Sequence, residues 1–252
     1  MRGLLDHHEA PSPASASAPH DGLLGGARIA SARGIPGTLG FPALTLHDDR
    51  LVVVASHHVL FGDGGREDEP IWLLDGFERG VAPMLLGRTR YGKRGTVRYN
   101  GVDAHVDCAV ADVDSRVMGA QGWRVVEDDT PPTATPLAGE RVTKRGSGTA
   151  STEGTLVDTS YRDRLHGSGH GAEAPHQLLI RPDARAAPFS GRGDSGAAVR
   201  NADGDIVGLL WGVNAFAESV ACPIAHVLYV LNIRIARLER VGGAASHVRR
   251  IS

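Results

Sequence analysis

The chain has 252 residues, with 33 glycines, 14 prolines and only 5% aromatic residues, and its formal net charge is −2. This length can bury the core of one large β domain or of two smaller ones, and the abundant glycine and proline favour turns and short strands over long helices. The nearly neutral charge gives no global sign of binding to nucleic acid or to anionic membranes, so we expect neither as a partner.

The first 26 residues predict a flexible tail ahead of the folded region. Residues 10–22, "APSPASASAPHDG", are rich in Pro, Ala and Ser and offer little to bury. The opening "MRGLLDHHEA" lacks the apolar core of a secretory signal peptide. No apolar run in the sequence approaches the roughly 18 residues that span a bilayer.

The two cysteines, Cys108 and Cys222, stand alone and outside the spacings of zinc sites. Secreted β domains often carry several disulfides, so two isolated cysteines fit a reducing compartment, and we expect a cytoplasmic protein. Lys93 and Lys144 are the only lysines beside many arginines, a bias that we interpret as a sign of a GC-rich, bacterial coding sequence.

After the tail, the chain alternates short apolar runs with turn residues. "ALTL" and "LVVV" flank a predicted hairpin turn at residues 47–50, and "IWLL", "APMLLG", "GTVRYNG" and "DCAVADV" follow as further short strands. The segment 127–140 is acidic and then rich in Pro and Thr, which predicts a linker between two β units. Beyond it, residues 202–204 supply the turn of another hairpin.

Only residues 223–231 read as a helix, because apolar residues recur on one face after Pro223. We therefore predict an all-β fold of two antiparallel β-barrels that are packed together, with a C-terminal helix. The first barrel should cover residues 27–130 and the second, with the closing helix, residues 137–240.

The segment with the clearest chemical signal is residues 189–199, "FSGRGDSGAAV". A nucleophilic serine must stand exposed on a tight turn whose backbone N–H groups face a developing oxyanion. Glycine permits the backbone angles of such a turn and the close approach of a substrate. Ser195 lies between Gly193-Asp194 and Gly196 and meets these needs, although similar turns also occur in ordinary hairpins.

The residues around this turn resemble a known family. "GDSGAAVRNADGDIVGLLWG" resembles the nucleophile hairpin of trypsin-like (chymotrypsin-fold) serine peptidases, whose second strand ends in an aromatic residue and a glycine, here Trp211 and Gly212. "PGTLGFPAL" is similar to the first strand of that family, "VTKRGSGTASTEGTLVD" to the start of its second barrel and "ACPIAHVLYVL" to its closing helix. The resemblance covers most of residues 33–232 and points to the disulfide-free bacterial or intracellular branch.

This resemblance implies a catalytic triad in the chain order His, Asp, Ser. The histidine should follow an apolar strand after three mostly small or polar residues. Counting from Val54 in "LVVVASHHVLFG" makes His58 the base. A slip of one residue would make His57 the base instead, and this alternative stays open.

The aspartate should lie in "NGVDAHVDCAVADVD". The family pattern is an aspartate that follows valine and precedes small or apolar residues, and Asp107 fits it. Asp103 also follows a valine and is the fallback, because His105 interrupts the residues after it. Asp107 is therefore the expected third member of the triad.

The implied roles follow from acyl-transfer chemistry. Ser195 attacks the scissile carbonyl, His58 accepts and returns the proton, and Asp107 fixes the imidazole. The backbone N–H groups of Gly193 and Ser195 form the oxyanion hole. The resemblance implies that Asp194 is not catalytic and that its carboxylate turns inward to support this loop.

The resemblance implies substrate-binding residues before the nucleophile and on the strand that follows it: Phe189, Ser190, Arg192, Leu210, Trp211, Gly212 and Val213. No Asp or Glu lies between Pro188 and Arg192, so a basic P1 residue is not expected and an apolar or small one is. The strand at residues 210–213 should offer its backbone to an extended peptide by β-strand addition.

The leading hypothesis is thus a serine endopeptidase that acts on protein or peptide substrates without a cofactor or metal. In secreted members of the family, cleavage frees an N-terminus that pairs with the aspartate beside the nucleophile. This sequence shows no I-V-G-G-like start of that kind, so Asp194 needs another partner, or a regulatory protein assembles the site. A third hypothesis is a catalytically inactive, peptide-binding module. The basic stretch 87–95 predicts a solvated hairpin or a partner loop, and His166, His170 and His176 mark a glycine-rich loop without the other ligands of a metal site.

Overall fold

The computed structural model describes residues 23–62, 64–126, 133–164, 173–183 and 187–241. The tail before residue 23, the linker residues 127–132 and the histidines 166 and 170 lie outside the described residues. The first half of the chain forms β1 (Arg28–Ser31), β2 (Gly37–Thr38), β3 (Phe41–Thr45), β4 (Leu51–Ala55), α1 (His57–Leu60), β5 (Pro70–Leu73), β6 (Met84–Tyr99), β7 (Val102–Val113), α2 (Ser115–Gln121) and β8 (Trp123–Val125). The second half forms β9 (Arg141–Gly146), β10 (Ala150–Arg164), β11 (Glu173–Pro182), β12 (Ala198–Arg200), β13 (Ile206–Val213), β14 (Ser219–Pro223), α3 (Ile224–Leu231), β15 (Ile233–Ile235) and β16 (Leu238–Arg240).

The first unit is an eight-stranded antiparallel sheet in the order β15-β3-β4-β7-β6-β5-β1-β2. The strands β3 and β4 are short and mainly apolar, and they are buried along almost their whole length. The turn between them lies at the predicted residues 47–50, where Asp49 has a left-handed φ of 48°. β6 and β7 form a long hairpin that carries the predicted Asp107 toward the centre of the molecule.

The second unit is a closed six-stranded barrel in the order β10-β11-β14-β13-β12-β9. Every neighbouring pair of strands in it is antiparallel. β12 and β13 form the hairpin predicted at residues 202–204, where Gly204 has a φ of 87°. The barrel core contains ten fully or almost fully buried side chains, among them Val142, Leu156, Ile180 and Phe189.

One apolar cluster joins the two units. It combines side chains of the first sheet, side chains of the barrel and the buried face of α3; its members include Phe41, Val54, Val106, Cys108, Leu209, Cys222 and Val227. Both cysteines are free and buried, and burial raises the pKa of each thiol. The helix begins after Pro223, as the sequence predicts. The predicted all-β class with a C-terminal helix is confirmed.

Two boundaries differ from the sequence-based assignment. Residues 233–240 were assigned to the second barrel, but β15 pairs with β3 and β16 pairs with β8, so both strands lie with the first unit. The sequence places Leu23 in the tail, but its side chain is 1% exposed and belongs to the apolar core of the first unit, called the first core below. The helix α2 was not expected, because seven residues are too few to establish a helical period.

Across the parts of the chain that the structure describes, no helix has the length and apolar character needed to cross a bilayer.

The buried histidines make stability depend on pH. His226 is 5% exposed and neither of its ring nitrogens has a hydrogen-bond partner among the described groups. Burial, aided by the neighbouring His176, lowers the pKa of His226 below its ordinary value of 6.5. The unfolded chain therefore binds more protons than the folded one as the pH falls below about 6.5, and the free energy of unfolding decreases.

We expect His226→Phe to weaken this dependence, because a phenyl ring beside Tyr99 takes up no proton. The measurement is the urea unfolding midpoint between about pH 7.5 and pH 5. His47→Gln, which replaces an exposed histidine, should leave the slope of the unfolding midpoint against pH as in the wild type. An unchanged slope in His226→Phe would contradict this explanation.

Candidate active site

The two adjacent histidines open the short helix α1, directly after the buried strand β4. Ser56 precedes them, and its hydroxyl donates to the Leu210 carbonyl at 3.0 Å, which ties this turn to β13 of the second unit. Val59 and Leu60 are buried and anchor the helix in the first core.

His58 and Asp107 form a hydrogen-bonded pair. His58 Nδ1 lies 3.0 Å from Asp107 Oδ2, and the backbone N–H of His58 donates to Asp107 Oδ1 at 3.1 Å. The Asp107 side chain is 1% exposed to solvent, whereas the His58 side chain is 19% exposed. Burial raises the pKa of Asp107, but the bonds from His58 and the charge of Arg94 outweigh it, so the pKa lies below its ordinary value.

The alternative residues lie in different surroundings. His57 stacks on Phe61 with 4.9 Å between ring centroids, and its Nδ1 is buried without a partner among the described groups. Burial is the main cause of a lowered pKa at His57. Asp103 lies near the end of the β6–β7 hairpin, where its half-exposed carboxylate is 3.8 Å from Arg98. The geometry thus pairs Asp107 with His58.

Ser195 lies on a turn between two glycines with positive φ, 98° at Gly193 and 96° at Gly196. A side chain at Gly196 would overlap the Thr38 carbonyl oxygen, so only glycine fits there. The Ser195 hydroxyl donates to the Trp211 carbonyl at 3.3 Å and is not hydrogen-bonded to His58.

One carbonyl connects the nucleophile turn with the histidine turn. Leu210 O accepts the Gly196 N–H at 2.7 Å and the Ser56 hydroxyl at 3.0 Å. Ser56 immediately precedes the histidine pair, and Gly196 immediately follows Ser195. The two turns are therefore held side by side, although they come from different units.

The backbone of the Ser195 turn leaves two donors free. Neither the Gly193 N–H nor the Ser195 N–H donates to another group in the described part of the chain. The Arg192 carbonyl oxygen lies against Gly148, since a Cβ added to Gly148 would overlap this oxygen. Because C=O and N–H point in opposite directions across a planar trans peptide, the Gly193 N–H faces away from Gly148. The Gly193 carbonyl accepts hydrogen bonds from Thr38 Oγ1 at 2.7 Å and Ser147 Oγ at 2.8 Å.

Asp194 turns inward and is paired with a lysine. Lys144 Nζ lies 3.0 Å from Asp194 Oδ2, and neither side chain is exposed. The carboxylate also accepts N–H groups of Gly148, Thr149 and Gly191 at 2.8–3.1 Å and the Thr149 hydroxyl at 2.7 Å. Burial raises the pKa of Asp194, but these bonds and the charge of Lys144 bring it below its ordinary value.

Lys144 is not singled out by any sequence motif as the partner of Asp194, although the sequence carries a signal for it. The strand β9, "RVTKRG", alternates exposed and buried residues, and this period of two places Lys144 on the same buried face as Val142. A lysine at a buried position of a strand requires an acidic partner.

The expected substrate-binding residues separate into two groups. Phe189 and Leu210 are 0% and 1% exposed and belong to the barrel core, so their side chains present no surface to a ligand. Ser190 is 5% exposed, and its hydroxyl is 2.6 Å from that of the buried Ser219. Arg192 and Val213 are exposed, whereas Trp211 and Gly212 are half-buried.

The end of β13 offers a free edge. β12 pairs with β13 only as far as the Ala198–Leu209 pair, after which Leu210 bonds to Ala197 and Gly196. From Trp211 to Val213 the strand has β14 on one side and no described strand on the other. This edge begins at the Trp211 carbonyl, next to the Ser195 hydroxyl.

The described residues contain no group of three or more His, Cys, Asp or Glu side chains placed to hold a metal ion.

No protein-family model and no curated protein matches the chain, but solved structures do. The chain is 17% identical to a glutamic-acid-specific serine protease, over 84% of this chain and 99% of that one, with a TM-score of 0.55. It is 15% identical to Nocardiopsis protease, over 85% and 99% of the two chains, with a TM-score of 0.54. It is 13% identical to protease A of Thermobifida fusca, over 84% and 97%, with a TM-score of 0.53.

These likenesses identify the fold. The chain has the chymotrypsin-like double-barrel fold of bacterial serine proteases, without a disulfide. The resemblance that the sequence motifs indicate is thereby confirmed at the level of the fold.

We expect Lys144→Met to destabilise the protein strongly, because it leaves the Asp194 carboxylate buried without its cation. Loss of one partner of a buried pair lowers the free energy of unfolding by about 3–5 kcal/mol. Lys93→Met is the matched control, since Lys93 is the other lysine of the chain and is exposed. Chemical denaturation of both variants checks the difference, and equal stability of the two would contradict the assignment.

Proposed function

We propose that the protein is a serine endopeptidase that cleaves peptide bonds through an acyl-enzyme intermediate. The observation that carries the proposal is the His58–Asp107 pair, which is held beside the Ser195 turn through the shared Leu210 carbonyl. A base oriented by a buried carboxylate and placed next to a serine on a glycine turn is the arrangement that activates a hydroxyl.

In this mechanism the Ser195 hydroxyl turns from the Trp211 carbonyl to His58 Nε2. His58 removes the hydroxyl proton while Ser195 Oγ forms a bond to the scissile carbonyl carbon. The protonated His58 then gives its proton to the leaving amine as the C–N bond breaks. A water molecule, deprotonated by His58, attacks the acyl-enzyme; the bond between the acyl carbon and Ser195 Oγ then breaks, and His58 returns the proton to Ser195 as the acid is released. Asp107 stabilises the imidazolium in both halves.

The free N–H groups of Gly193 and Ser195 are the proposed donors to the oxyanion. Both belong to a turn that is already fixed by the bonds of the Gly193 carbonyl and by the buried Asp194. Donors fixed before the reaction need no reorganisation as charge develops on the oxygen, and one such donor contributes about 10²–10³ in kcat.

The substrate is proposed to add as an antiparallel strand to the free edge of β13. Its P1 N–H would donate to the Trp211 carbonyl, and residues upstream of the scissile bond would follow the edge toward the exposed Val213. The absence of an acid from Pro188 to Arg192 and the buried position of Phe189 argue against a basic P1 residue. We therefore propose protein or peptide substrates with a small or apolar P1 residue.

Lys144 bears on the alternative of a partner-gated protease. That hypothesis arose because Asp194 lacked an evident cation, and the buried Lys144 supplies one from within the chain. We therefore propose that the isolated protein is active. A peptide-binding module without catalysis would keep the β13 edge but would not need a nucleophilic Ser195.

A rhodamine fluorophosphonate phosphonylates an activated serine and therefore tests the reactivity of Ser195. The purified protein should be labelled, and Ser195→Ala should remove the label. Ser160→Ala is a control that should keep the label, since Ser160 is exposed in β10 and lies outside the proposed site. If the wild type is not labelled, either alone or with added cell extract, the proposal is wrong.

Alanine variants of the two histidines distinguish which of them is the base. His58→Ala should reduce turnover by about 10⁶, as expected for loss of the base of such a triad. His57→Ala should leave measurable activity, because His57 contacts Phe61 and not Asp107. Cleavage of a casein substrate at matched concentrations of folded protein measures both, and equal losses would mean that His57 has a role in the reaction.

A further inference from the structure

Asp107 has a cationic neighbour in addition to the imidazole of His58. β6 and β7 pair so that Arg94 stands directly opposite Asp107, and Arg94 Nε lies 3.3 Å from Asp107 Oδ2. Residues directly opposite each other on antiparallel strands have neighbouring Cβ atoms on the same face. The register of the hairpin therefore brings the guanidinium to the carboxylate.

The His58 imidazole and the Arg94 guanidinium lie against the same oxygen of this carboxylate. Oδ2 is bonded to His58 Nδ1 at 3.0 Å, while Oδ1 accepts the backbone N–H of His58. With 1% of its side chain exposed, Asp107 depends on neighbouring protein groups and not on solvent. Burial makes a carboxylate take up a proton more readily, and a nearby positive charge such as that of Arg94 favours the charged form. The other titratable groups that interact with Asp107 are His57, His105, Cys108 and Cys222.

A second pair on the same hairpin shows what an ordinary surface contact looks like here. Arg98 and Asp103 also stand opposite each other, but their side chains are 72% and 57% exposed and 3.8 Å apart. Solvent screens such a pair, and it contributes little. The Arg94 guanidinium is half exposed, but its acidic partner is buried, so the contact between them is screened much less.

We propose that Arg94 is a positioning residue that keeps the Asp107 carboxylate charged and directed at His58. The inference rests on the proposed endopeptidase function and adds to it a residue outside the Ser195, His58 and Asp107 set. Without Arg94, Asp107 binds a proton more readily, and no guanidinium opposes a positive charge on the His58 ring. Both effects move protonation of the His58–Asp107 pair to higher pH.

The test is the pH profile of the rate constant for labelling by the rhodamine fluorophosphonate. In Arg94→Gln the acid limb of the profile, which reports the pair as a unit, should move to higher pH by about one unit. The rate on the plateau should fall about tenfold, because a carboxylate that has lost this ion pair orients the imidazole less firmly. An unchanged limb in folded Arg94→Gln overturns the proposal.

Two further variants keep the test decisive. Arg98→Gln, the matched control from the exposed pair, should leave both the limb and the plateau unchanged, and a shift equal to that of Arg94→Gln would contradict a specific role. Arg94→Lys keeps the charge, so its limb should stay at the wild-type pH even if Arg94→Gln does not fold. A limb displaced in Arg94→Lys would also overturn the proposal.

The failure of this inference is distinguishable from failure of the proposed function. A wild type that is not labelled at Ser195 defeats the endopeptidase proposal. A wild type that is labelled, with the same profile in Arg94→Gln, defeats only the role of Arg94.

Discussion

The buried ion pair between Lys144 and Asp194 is the contact on which the nucleophile turn depends. Asp194 immediately precedes Ser195, and its carboxylate is bound by backbone N–H groups of the 146–149 turn and of Gly191. Both charges are fully desolvated, so each requires the other. Through this pair the barrel core fixes the direction of the Gly193 and Ser195 N–H groups before any substrate binds.

The second constraint is the junction of the two units. His58, in α1, and Asp107, in β7, belong to the first unit, whereas Ser195 belongs to the second. The shared bonds to the Leu210 carbonyl and the apolar cluster that joins both units hold them in register. Close packing at this junction is therefore part of the site, because a shift of one unit against the other would separate Ser195 from His58. Arg94, on β6, contacts the Asp107 carboxylate and is proposed to hold it toward His58.

Local sequence patterns were enough for the turns, the C-terminal helix and the glycine turn around Ser195, because each depends on residues close together in the chain. Lys144 and Asp194 are 50 residues apart, and only the alternation in β9 hints that the lysine is buried. The burial of Phe189 in the barrel and the pairing of β15 with β3 likewise depend on long-range contacts that no local pattern reports. The choice between His57 and His58 is of the same kind, since the position of Asp107 distinguishes them geometrically.

The proposed reaction requires Ser195, His58 and the two free N–H groups to act together on a peptide carbonyl. A crystal structure of the protein with a peptidyl phosphonate would show whether they do. We expect a bond from Ser195 Oγ to phosphorus, with the phosphonyl oxygen about 2.7–3.1 Å from the N–H groups of Gly193 and Ser195. We also expect the peptide to lie as an antiparallel strand on the Trp211–Val213 edge. A phosphonyl group attached elsewhere, or a phosphonyl oxygen pointing away from Gly193, would rule out this mechanism.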